Sequence, residues 1–385
     1  MSGHARMRPY HLDAAVIKTD RNIFYSAVDY AKIYNFPTPA ASSVGPVIAV
    51  ISLGGGLSGT VTNSVLTGGD VQAYWSSLGI PAAVQARVLV VPIDGATNSF
   101  SISDGGASAE NTLDVAMIGG AIPYAAGRIV PVATILLIRA PNTYQGFLNA
   151  FKAAIAGSIR VGSSTYSPTI ISCSWGAPEK QFTATQLTQY NATFATATSK
   201  RINIFCATGD SGSSNGLYGL NVDFPSSSPN VVACGGTTLV CPDGTYTSTT
   251  QESAWLNGGG GVSAVFAPPA YQSALRLRRR ATPDIALNAN PNTGFHLIFN
   301  GSTVAYGGTS VVSPAMAAFA ATLGSSAPFL NTRLYAVPKA CFNDIVKGTN
   351  AIRGTGTGTS YVAGPGFDNC TGLGSIKGAL LKTSL

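Results

Sequence analysis

Charged residues are scarce in this sequence, and carboxylates are the scarcer kind. The 385 residues are 45% hydrophobic and 10% charged, and 16 Asp and Glu against 23 Lys and Arg give a net charge of +7. A protein with few carboxylates loses few native carboxylate contacts to protonation, so this composition favours a fold that tolerates acid. The basic run at residues 276–280 lacks interleaved aromatic residues, and we interpret it as a surface loop, not as a nucleic-acid site.

Long apolar runs are also missing. No apolar run reaches the roughly 18–20 residues that a membrane-spanning helix needs, so we expect no membrane partner. Residues 1–20 contain basic residues but no apolar core of a signal peptide. Two interpretations stay open: the protein is not secreted by that route, or the chain begins after a removed precursor segment.

The six cysteines show no zinc-binding pattern, because no CxxC or Cys/His spacing occurs. Two of them fall in apolar, strand-like segments and are expected as buried free thiols: Cys173 and Cys206. Two pairs are candidate disulfides, with the pairing left open: Cys234 with Cys241, and Cys341 with Cys370.

Strand-like and helix-like segments alternate along the chain. The apolar strand-like segments are 46–53, 86–93, 128–138, 169–174 and 203–207. The helix-like segments are 24–34, 71–78 with Asp70 as N-cap, 108–123 with Ser108 as N-cap, 143–156 and 187–199. This alternation predicts an α/β fold with a doubly wound, mostly parallel sheet. We expect a flexible N-terminal arm at residues 1–23 and one domain over residues 24–385.

Sites in such folds lie beyond the carboxyl ends of the strands. Trp175, Asp210 and the glycines 54–56 all follow predicted strands. These positions are therefore expected to line a functional cleft.

Ser310 stands where a Gly-Gly turn meets an Ala-rich, buried helix within residues 306–322. Free N–H groups and the positive end of the dipole at a helix N-terminus favour a developing negative charge. Pro314 falls in the first helical turn, where its missing N–H costs little. Ser310 is thus a candidate nucleophile, although an ordinary N-cap has the same pattern.

Histidine is an improbable base for this serine. His4 and His11 lie in the predicted arm, and His296 fits an alternating strand pattern as a structural residue. Glu110 and Asp114 are one helical turn apart in an apolar segment, so they share a face that we expect to point inward. Two interacting carboxyls titrate as a pair, which suggests Glu110 as base and Asp114 as its partner. A solvated helix face is the alternative.

Asp210 follows a predicted strand in Thr-Gly-Asp-Ser-Gly, where a protonated carboxyl could donate a hydrogen bond to an oxyanion. An ordinary turn aspartate is the alternative. An ionised base and a protonated oxyanion donor coexist near pH ~4, the intrinsic range of carboxyls, so the site predicts activity in acid.

These motifs occur in the order and spacing that the sedolisins, the serine-carboxyl peptidases, show. The segments that carry the resemblance include Gly-Gly-Gly at 54–56, Glu-x-x-x-Asp at 110–114, Ser-Trp-Gly at 174–176, Gly-Asp-Ser-Gly at 209–212, Val-Asp-Phe-Pro at 222–225, Gly-Gly-Thr-Ser at 307–310 and the glycine-rich stretch 364–374. The chain resembles this family from about Phe24 to its end.

The resemblance implies a subtilisin-like fold and an endopeptidase that forms an acyl-enzyme on Ser310 in acid. It implies Glu110 as base, Asp114 as its partner, and an oxyanion hole of Asp210 with the Ser310 backbone N–H. It also implies substrate contacts from three residues that would line the cleft: Ser174, Trp175 and Gly176. Protein or peptide substrates, an extracellular or acidic location and a monomer are the matching expectations.

The resemblance further implies one structural calcium ion in a C-terminal loop region. The expected ligands are the carboxylates of Asp344 and Asp368 and the carbonyls of Ile345, Gly364 and Gly366. The resemblance also places Ser52 where one member of the family carries a first-strand glutamate, which puts an extended carboxylate relay in doubt. Two alternatives stay open: a catalytically silent peptide-binding protein on the same fold, and a Gly/Ser/Thr-rich surface protein.

Overall fold

The computed structural model describes residues 6–13, 23–38, 45–126, 133–324, 329–351 and 360–385. Its helices, numbered in chain order, are α1 (Ala27–Ile33), α2 (Asp70–Ser77), α3 (Ala107–Ala126), α4 (Tyr144–Ala156), α5 (Ala184–Ser199), α6 (Val312–Leu323), α7 (Leu330–Leu334) and α8 (Gly378–Ser384). Its strands are β1 (Arg8–Pro9), β2 (Leu12–Asp13), β3 (Val47–Ser52), β4 (Thr60–Thr62), β5 (Val65–Thr67), β6 (Arg87–Pro92), β7 (Thr134–Arg139), β8 (Ile159–Val161), β9 (Ser164–Tyr166), β10 (Ile170–Cys173), β11 (Trp175–Pro178), β12 (Asn203–Ala207), β13 (Asp223–Phe224), β14 (Val232–Val240), β15 (Gln251–Ala254), β16 (Gly261–Val262), β17 (Ala281–Thr282), β18 (Ile285–Asn288), β19 (Phe295–Phe299), β20 (Ser302–Gly307), β21 (Phe342–Asn343) and β22 (Ser375–Ile376).

Ten strands of the described chain form one central sheet. Its order is β15-β14-β12-β10-β3-β7-β6-β5-β4, and β18 also pairs with β14. The six strands from β14 to β6 are parallel, and β18 is parallel to β14, whereas β4, β5 and β15 form antiparallel edges. The predicted α/β fold with a mostly parallel sheet is confirmed.

Helices cover both faces of this sheet. Neighbouring residues of a buried strand point to opposite faces, so a continuous apolar strand needs cover on each side. In β3, Ile48 and Val50 belong to one apolar cluster together with residues of α1, α3 and α6. Ala49 and Ile51 belong to the other cluster, together with residues of α4 and α5. None of the helices in the described part of the chain is long and apolar enough to cross a bilayer.

Two predicted helix caps are wrong. The residue before α2 is Gly69, and the Asp70 carboxylate instead accepts the backbone N–H groups of Asn300 at 2.8 Å and Gly301 at 3.0 Å. Ser108 lies inside α3, and its Oγ accepts the Gly56 N–H at 3.0 Å. Both polar side chains therefore fix loops that are distant in sequence, which local patterns do not reveal. Residues 127–132, the first part of one predicted strand, lie outside the described residues.

All six cysteines are buried and free, so neither candidate disulfide forms in the structure. The predicted surface loop at 276–280 is only partly correct. Arg280 is fully buried and forms a bidentate ion pair with Asp284, with nitrogen–oxygen distances of 2.5 and 2.6 Å. His296 lies on β19 against the ring of Tyr74, as expected for a structural strand residue.

The N-terminal arm is structured where the chain is described. β1 pairs antiparallel with β11, and β2 pairs antiparallel with β20. The expectation of a flexible arm is therefore wrong for these two strands. His4 lies outside the described residues.

Candidate active site

Ser310 lies in a tight turn between a strand and a buried helix. A turn of 3-10 helix, Thr309–Val311, joins β20 to α6. Gly308 before it has a φ of 110°, and a Cβ there would lie 2.3 Å from the Tyr10 carbonyl oxygen and 2.5 Å from Oδ2 of Asp210. Only glycine fits this conformation and this close approach. Ser310 is fully buried, and its Oγ has no hydrogen-bond partner among the described residues.

The two acids of α3 point inward, as predicted. Glu110 and Asp114 are both fully buried, and α3 packs against α6 and the Ser310 turn. Burial, followed by the neighbouring charge of Glu110, raises the pKa of Asp114 well above its usual range, and the hydrogen bond from Ser174 opposes this. Asp114 is therefore expected to be neutral, since two interacting buried carboxyls do not both ionise.

Ser174 connects this acid pair to the nucleophile turn. Its Oγ donates to Oδ1 of Asp114 at 2.7 Å and lies 3.4 Å from the carbonyl oxygen of Ser310. The Oγ of Ser313 is 2.8 Å away from it. One buried hydroxyl that follows β10 therefore links Asp114 to the turn that carries Ser310.

Asp210 follows β12 and lies against the same turn. Its Oδ1 accepts two hydrogen bonds from Thr309, from the backbone N–H and from Oγ1, both at 2.8 Å. Its Oδ2 is buried and has no partner among the described residues. Burial raises the pKa of Asp210 to about 7, against the lowering effect of the Thr309 hydrogen bonds. In acid the carboxyl is neutral, which leaves an O–H free to donate at Oδ2.

The segment that was predicted to line the cleft, residues 174–176, is paired with β1. The segment Ser174-Trp175-Gly176 runs alongside β1, with Arg8 opposite Gly176 and Pro9 opposite Trp175. The Tyr10 N–H donates to the carbonyl oxygen of Ser174 at 3.1 Å. The edge of β11 therefore binds an extended peptide through its backbone.

Sequence patterns assigned no role at this site to several residues that the structure places there. Nδ1 of His11 lies 2.6 Å from Oε2 of Glu110, and the Tyr10 hydroxyl donates to Oδ2 of Asp223. Burial raises the pKa of Asp223 to about 6, and the charge of Arg8 opposes this shift. Ser313 could have been found from its spacing in the sequence. It follows Ser310 by three residues and thus shares a helix face with it.

Comparisons with known proteins agree with this geometry. A model described as the subtilase family matches residues 126–337, more than half of the chain. Kumamolisin from Bacillus sp. (strain MN-32) is 37% identical over 384 residues, covering 94% of this chain and 63% of kumamolisin. The chain belongs to the subtilase family, in its sedolisin branch.

A second curated relative and a solved structure also match the chain. Sedolisin from Pseudomonas sp. (strain 101) is 30% identical, over 90% of this chain and 60% of that protein. A solved Pseudomonas sedolisin, a serine-carboxyl proteinase in complex with two molecules of pseudo-iodotyrostatin, has a TM-score of 0.76 at 26% identity, covering 94% of this chain and 98% of that one. The chain spans about three fifths of the length of the curated relatives.

Within this sedolisin framework, Ser52 contacts a buried arginine. Nη1 of Arg139 donates to Oγ of Ser52 at 2.8 Å and also binds the carbonyl oxygen of Gly54, while Nη2 donates to the carbonyl oxygen of Thr97 at 2.6 Å. Burial lowers the pKa of Arg139 to about 10. A guanidinium therefore holds the loop after β3, and no carboxylate from this strand position joins the Glu110–Asp114 pair.

The two acids that are expected to bind calcium both contact the glycine-rich loop at residues 364–366. Oδ2 of Asp368 accepts the Gly364 N–H at 3.1 Å, and Oδ2 of Asp344 accepts the Gly366 N–H at 2.9 Å. No hydrogen bond from the described residues goes to the carbonyl oxygens of Ile345, Gly364 or Gly366. Carboxylate and carbonyl oxygens are the ligand types that Ca²⁺ prefers, so the chemistry of the expected ligands fits this ion. No cluster of three or more His, Cys, Asp or Glu occurs among the described residues.

Proposed function

We propose that this chain is an acid-acting serine-carboxyl endopeptidase that hydrolyses peptide bonds of protein or peptide substrates through an acyl-enzyme on Ser310. The observation that carries the proposal is a peptide carbonyl oxygen, that of Tyr10, which accepts the Ser310 N–H at 2.9 Å beside the unpartnered Oδ2 of Asp210. A developing oxyanion requires hydrogen-bond donors, and here a backbone N–H binds a peptide carbonyl oxygen while a buried carboxyl borders the same space.

Glu110 is the general base in this proposal. A serine hydroxyl is a weak nucleophile until a neighbouring group takes its proton. Oγ of Ser310 and Oε1 of Glu110 are both buried, and both lack a hydrogen-bond partner among the described residues. The proton removed from Ser310 would pass to Glu110 and then to the leaving amine.

Asp114 positions this base. Its raised pKa keeps it protonated in acid, and its Oδ2 has no partner among the described residues. A neutral Asp114 can donate a hydrogen bond to Glu110 and so favour the ionised form of the base. The hydrogen bond from Ser174 to Oδ1 fixes the orientation of this carboxyl.

Asp210 sets the upper limit of the working pH. It stabilises an oxyanion only while it carries a proton, and its pKa is raised to about 7. Above that value a carboxylate would face the developing negative charge and repel it. We therefore infer that turnover is confined to acid.

Cleavage of a fluorogenic peptide from pH 2 to 8 tests the proposal. We expect turnover in acid that Ser310→Ala abolishes, with circular dichroism showing that the variant is folded. A peptide aldehyde should be captured reversibly by the wild type and not by Ser310→Ala, because capture needs both a nucleophile and an oxyanion hole. A folded wild-type chain that binds peptides but neither cleaves them nor captures the aldehyde would instead be a silent peptide-binding protein.

We also propose that Asp344, Asp368 and the carbonyls of Ile345, Gly364 and Gly366 hold one structural Ca²⁺. The ion would neutralise two carboxylates that otherwise meet on one glycine-rich loop. Chelation should lower the melting temperature, and added Ca²⁺ should restore it. An unchanged melting temperature on chelation, with no Ca²⁺ detected by elemental analysis, would contradict this site.

A further inference from the structure

Arg139 is a buried cation that no carboxylate of the described residues pairs with. It ends β7, is 3% exposed and makes no ion pair with the described acids. Its hydrogen bonds go to neutral oxygens, those of Ser52, Gly54 and Thr97, and its Nε has no partner among the described residues. Burying a charge without a countercharge is costly, and an apolar side chain would avoid that cost. The guanidinium therefore needs a role other than packing.

The oxygens that Arg139 binds belong to two loops at the carboxyl edge of the sheet. Nη1 donates to Oγ of Ser52 at 2.8 Å and to the carbonyl oxygen of Gly54, in the loop after β3. Nη2 donates to the carbonyl oxygen of Thr97 at 2.6 Å, in the loop after β6. A guanidinium presents its donors in a rigid, planar fork, so binding carbonyls of both loops sets the distance between them.

One carbonyl oxygen joins Arg139 to the helix that carries the proposed base. The Gly54 oxygen that binds Nη1 of Arg139 also accepts a hydrogen bond from Nδ2 of Asn111 at 2.9 Å. Asn111 lies on α3, directly after Glu110. A donor from the sheet and a donor from the helix therefore meet on one acceptor, which fixes α3 relative to β7 next to Glu110.

The rest of this loop lies directly on the start of α3. Gly55 has a φ of 63°, and a Cβ there would lie 2.4 Å from the Ser108 nitrogen and 2.6 Å from Oδ2 of Asp104. The Gly56 N–H donates to Oγ of Ser108 at 3.0 Å. Burial lowers the pKa of Arg139 to about 10, and the charge of Asp104 opposes this shift, so the two charges attract each other. A shift of the loop would therefore be passed on to the first turn of the helix.

From these contacts we infer that Arg139 is a positioning residue: by fixing the loop at residues 52–56, it sets where α3 holds the Glu110 carboxylate relative to Ser310. The inference rests on the proposed function of these two residues. The base must lie within hydrogen-bond reach of Oγ of Ser310, and a misplacement of about 1 Å lowers the rate by about 10²-fold. Arg139 makes no hydrogen bond to Glu110 or Ser310 and acts through the loop.

The test is kcat and KM of Arg139→Met on a fluorogenic peptide at pH 4, with folding checked by circular dichroism. Methionine removes the fork but can fill the apolar part of the site. We expect kcat to fall by about 10²-fold, with KM within about twofold of wild type. Arg139→Lys keeps a charged donor that cannot bridge both loops, and it should lose about tenfold in kcat. Arg87→Met is the matched control, because Arg87 begins the neighbouring β6 with an exposed side chain, and it should keep the wild-type kcat.

Two further measurements separate positioning from a general loss of structure. Guanidinium chloride, far below its unfolding concentration, should saturably restore part of the kcat that Arg139→Ala loses, whereas sodium chloride at equal ionic strength should not. Amide hydrogen exchange at residues 107–113 should be faster in Arg139→Met than in wild type, and exchange in α5, on the other face of the sheet, should be unchanged. The exchange measurement does not require turnover.

The outcomes separate this inference from the proposed function. If Ser310→Ala abolishes turnover but Arg139→Met keeps the wild-type kcat, the inference is wrong and the function stands. Unchanged exchange at residues 107–113 in Arg139→Met would overturn the inference whatever the activity. A fall in kcat that comes with a lower urea midpoint and faster exchange in all helices would make Arg139 a residue of stability alone. A folded wild type without turnover would overturn the function and, with it, this inference.

Discussion

Replacing Asp210 with asparagine should separate its two roles, hydrogen bonding and titration. The amide oxygen of Asp210→Asn can accept both hydrogen bonds from Thr309, and the amide nitrogen can donate where Oδ2 now lies. The variant therefore keeps an oxyanion donor at every pH. Asp210→Ala removes the donor altogether.

The size of the effect follows from the raised pKa of Asp210, about 7. Each pH unit above this value lowers the protonated fraction, and with it wild-type kcat/KM, by about tenfold. Asp210→Asn should be within about tenfold of wild type at pH 4 and lose the fall in rate above neutrality. Asp210→Ala should lose about 10²–10³ in kcat at pH 4, the usual loss for one oxyanion donor.

The assay is kcat and KM on a fluorogenic peptide from pH 3 to 9, with folding checked by circular dichroism at each pH. If Asp210→Asn keeps the wild-type fall in rate between pH 6 and 8, Asp210 is not the titrating group. If Asp210→Ala retains full kcat in acid, the oxyanion role assigned to Asp210 is wrong.

Three further changes test other parts of the structure. Asp114→Asn keeps a hydrogen-bond donor toward Glu110 and should retain a higher kcat than Asp114→Ala. We expect Asp114→Ala to lower kcat by about 10²-fold or more. Equal losses of kcat in the two variants would contradict the positioning role. Arg280→Ala leaves the buried Asp284 without its cationic partner, so urea unfolding should show a loss of about 3–5 kcal/mol in the free energy of unfolding. A loss below about 1 kcal/mol would contradict this. Because burial raises the folded-state pKa of Asp210, its contribution to stability is complete below the unfolded pKa of ~4 and is lost as pH rises to about 7. The melting temperature should therefore be higher at pH 4 than at pH 8, and Asp210→Asn should reduce this difference; an unchanged difference would place its cause elsewhere.

The features that local sequence patterns could predict are those that depend on neighbouring residues. The sheet followed from continuous apolar segments such as β3, because a strand covered on both faces has no polar side. The inward direction of Glu110 and Asp114 followed from helical spacing in an apolar segment. Asp210 was expected to lie near Ser310. Asp210 follows the carboxyl end of a strand, and Ser310 lies at the start of a helix beside that edge of the sheet.

The features that sequence could not predict depend on contacts between distant segments. His11 and Glu110 are 99 residues apart, and Tyr10 and Asp223 are 213 apart, so no periodicity connects them. Ser108 and Asp70 had the residue types of helix caps, but each binds a distant loop instead. The arm was expected to be flexible, whereas backbone pairing holds its two short strands. Backbone pairing leaves little trace in the pattern of side chains.

The most direct test of the central claim is mass spectrometry of the chain acid-quenched during turnover of a slow ester substrate at pH 4. We predict an acyl adduct on the peptide fragment that contains Ser310, formed and lost at rates that match turnover, and absent from Ser310→Ala. Turnover in acid that proceeds without an adduct and survives Ser310→Ala would contradict the serine-carboxyl mechanism.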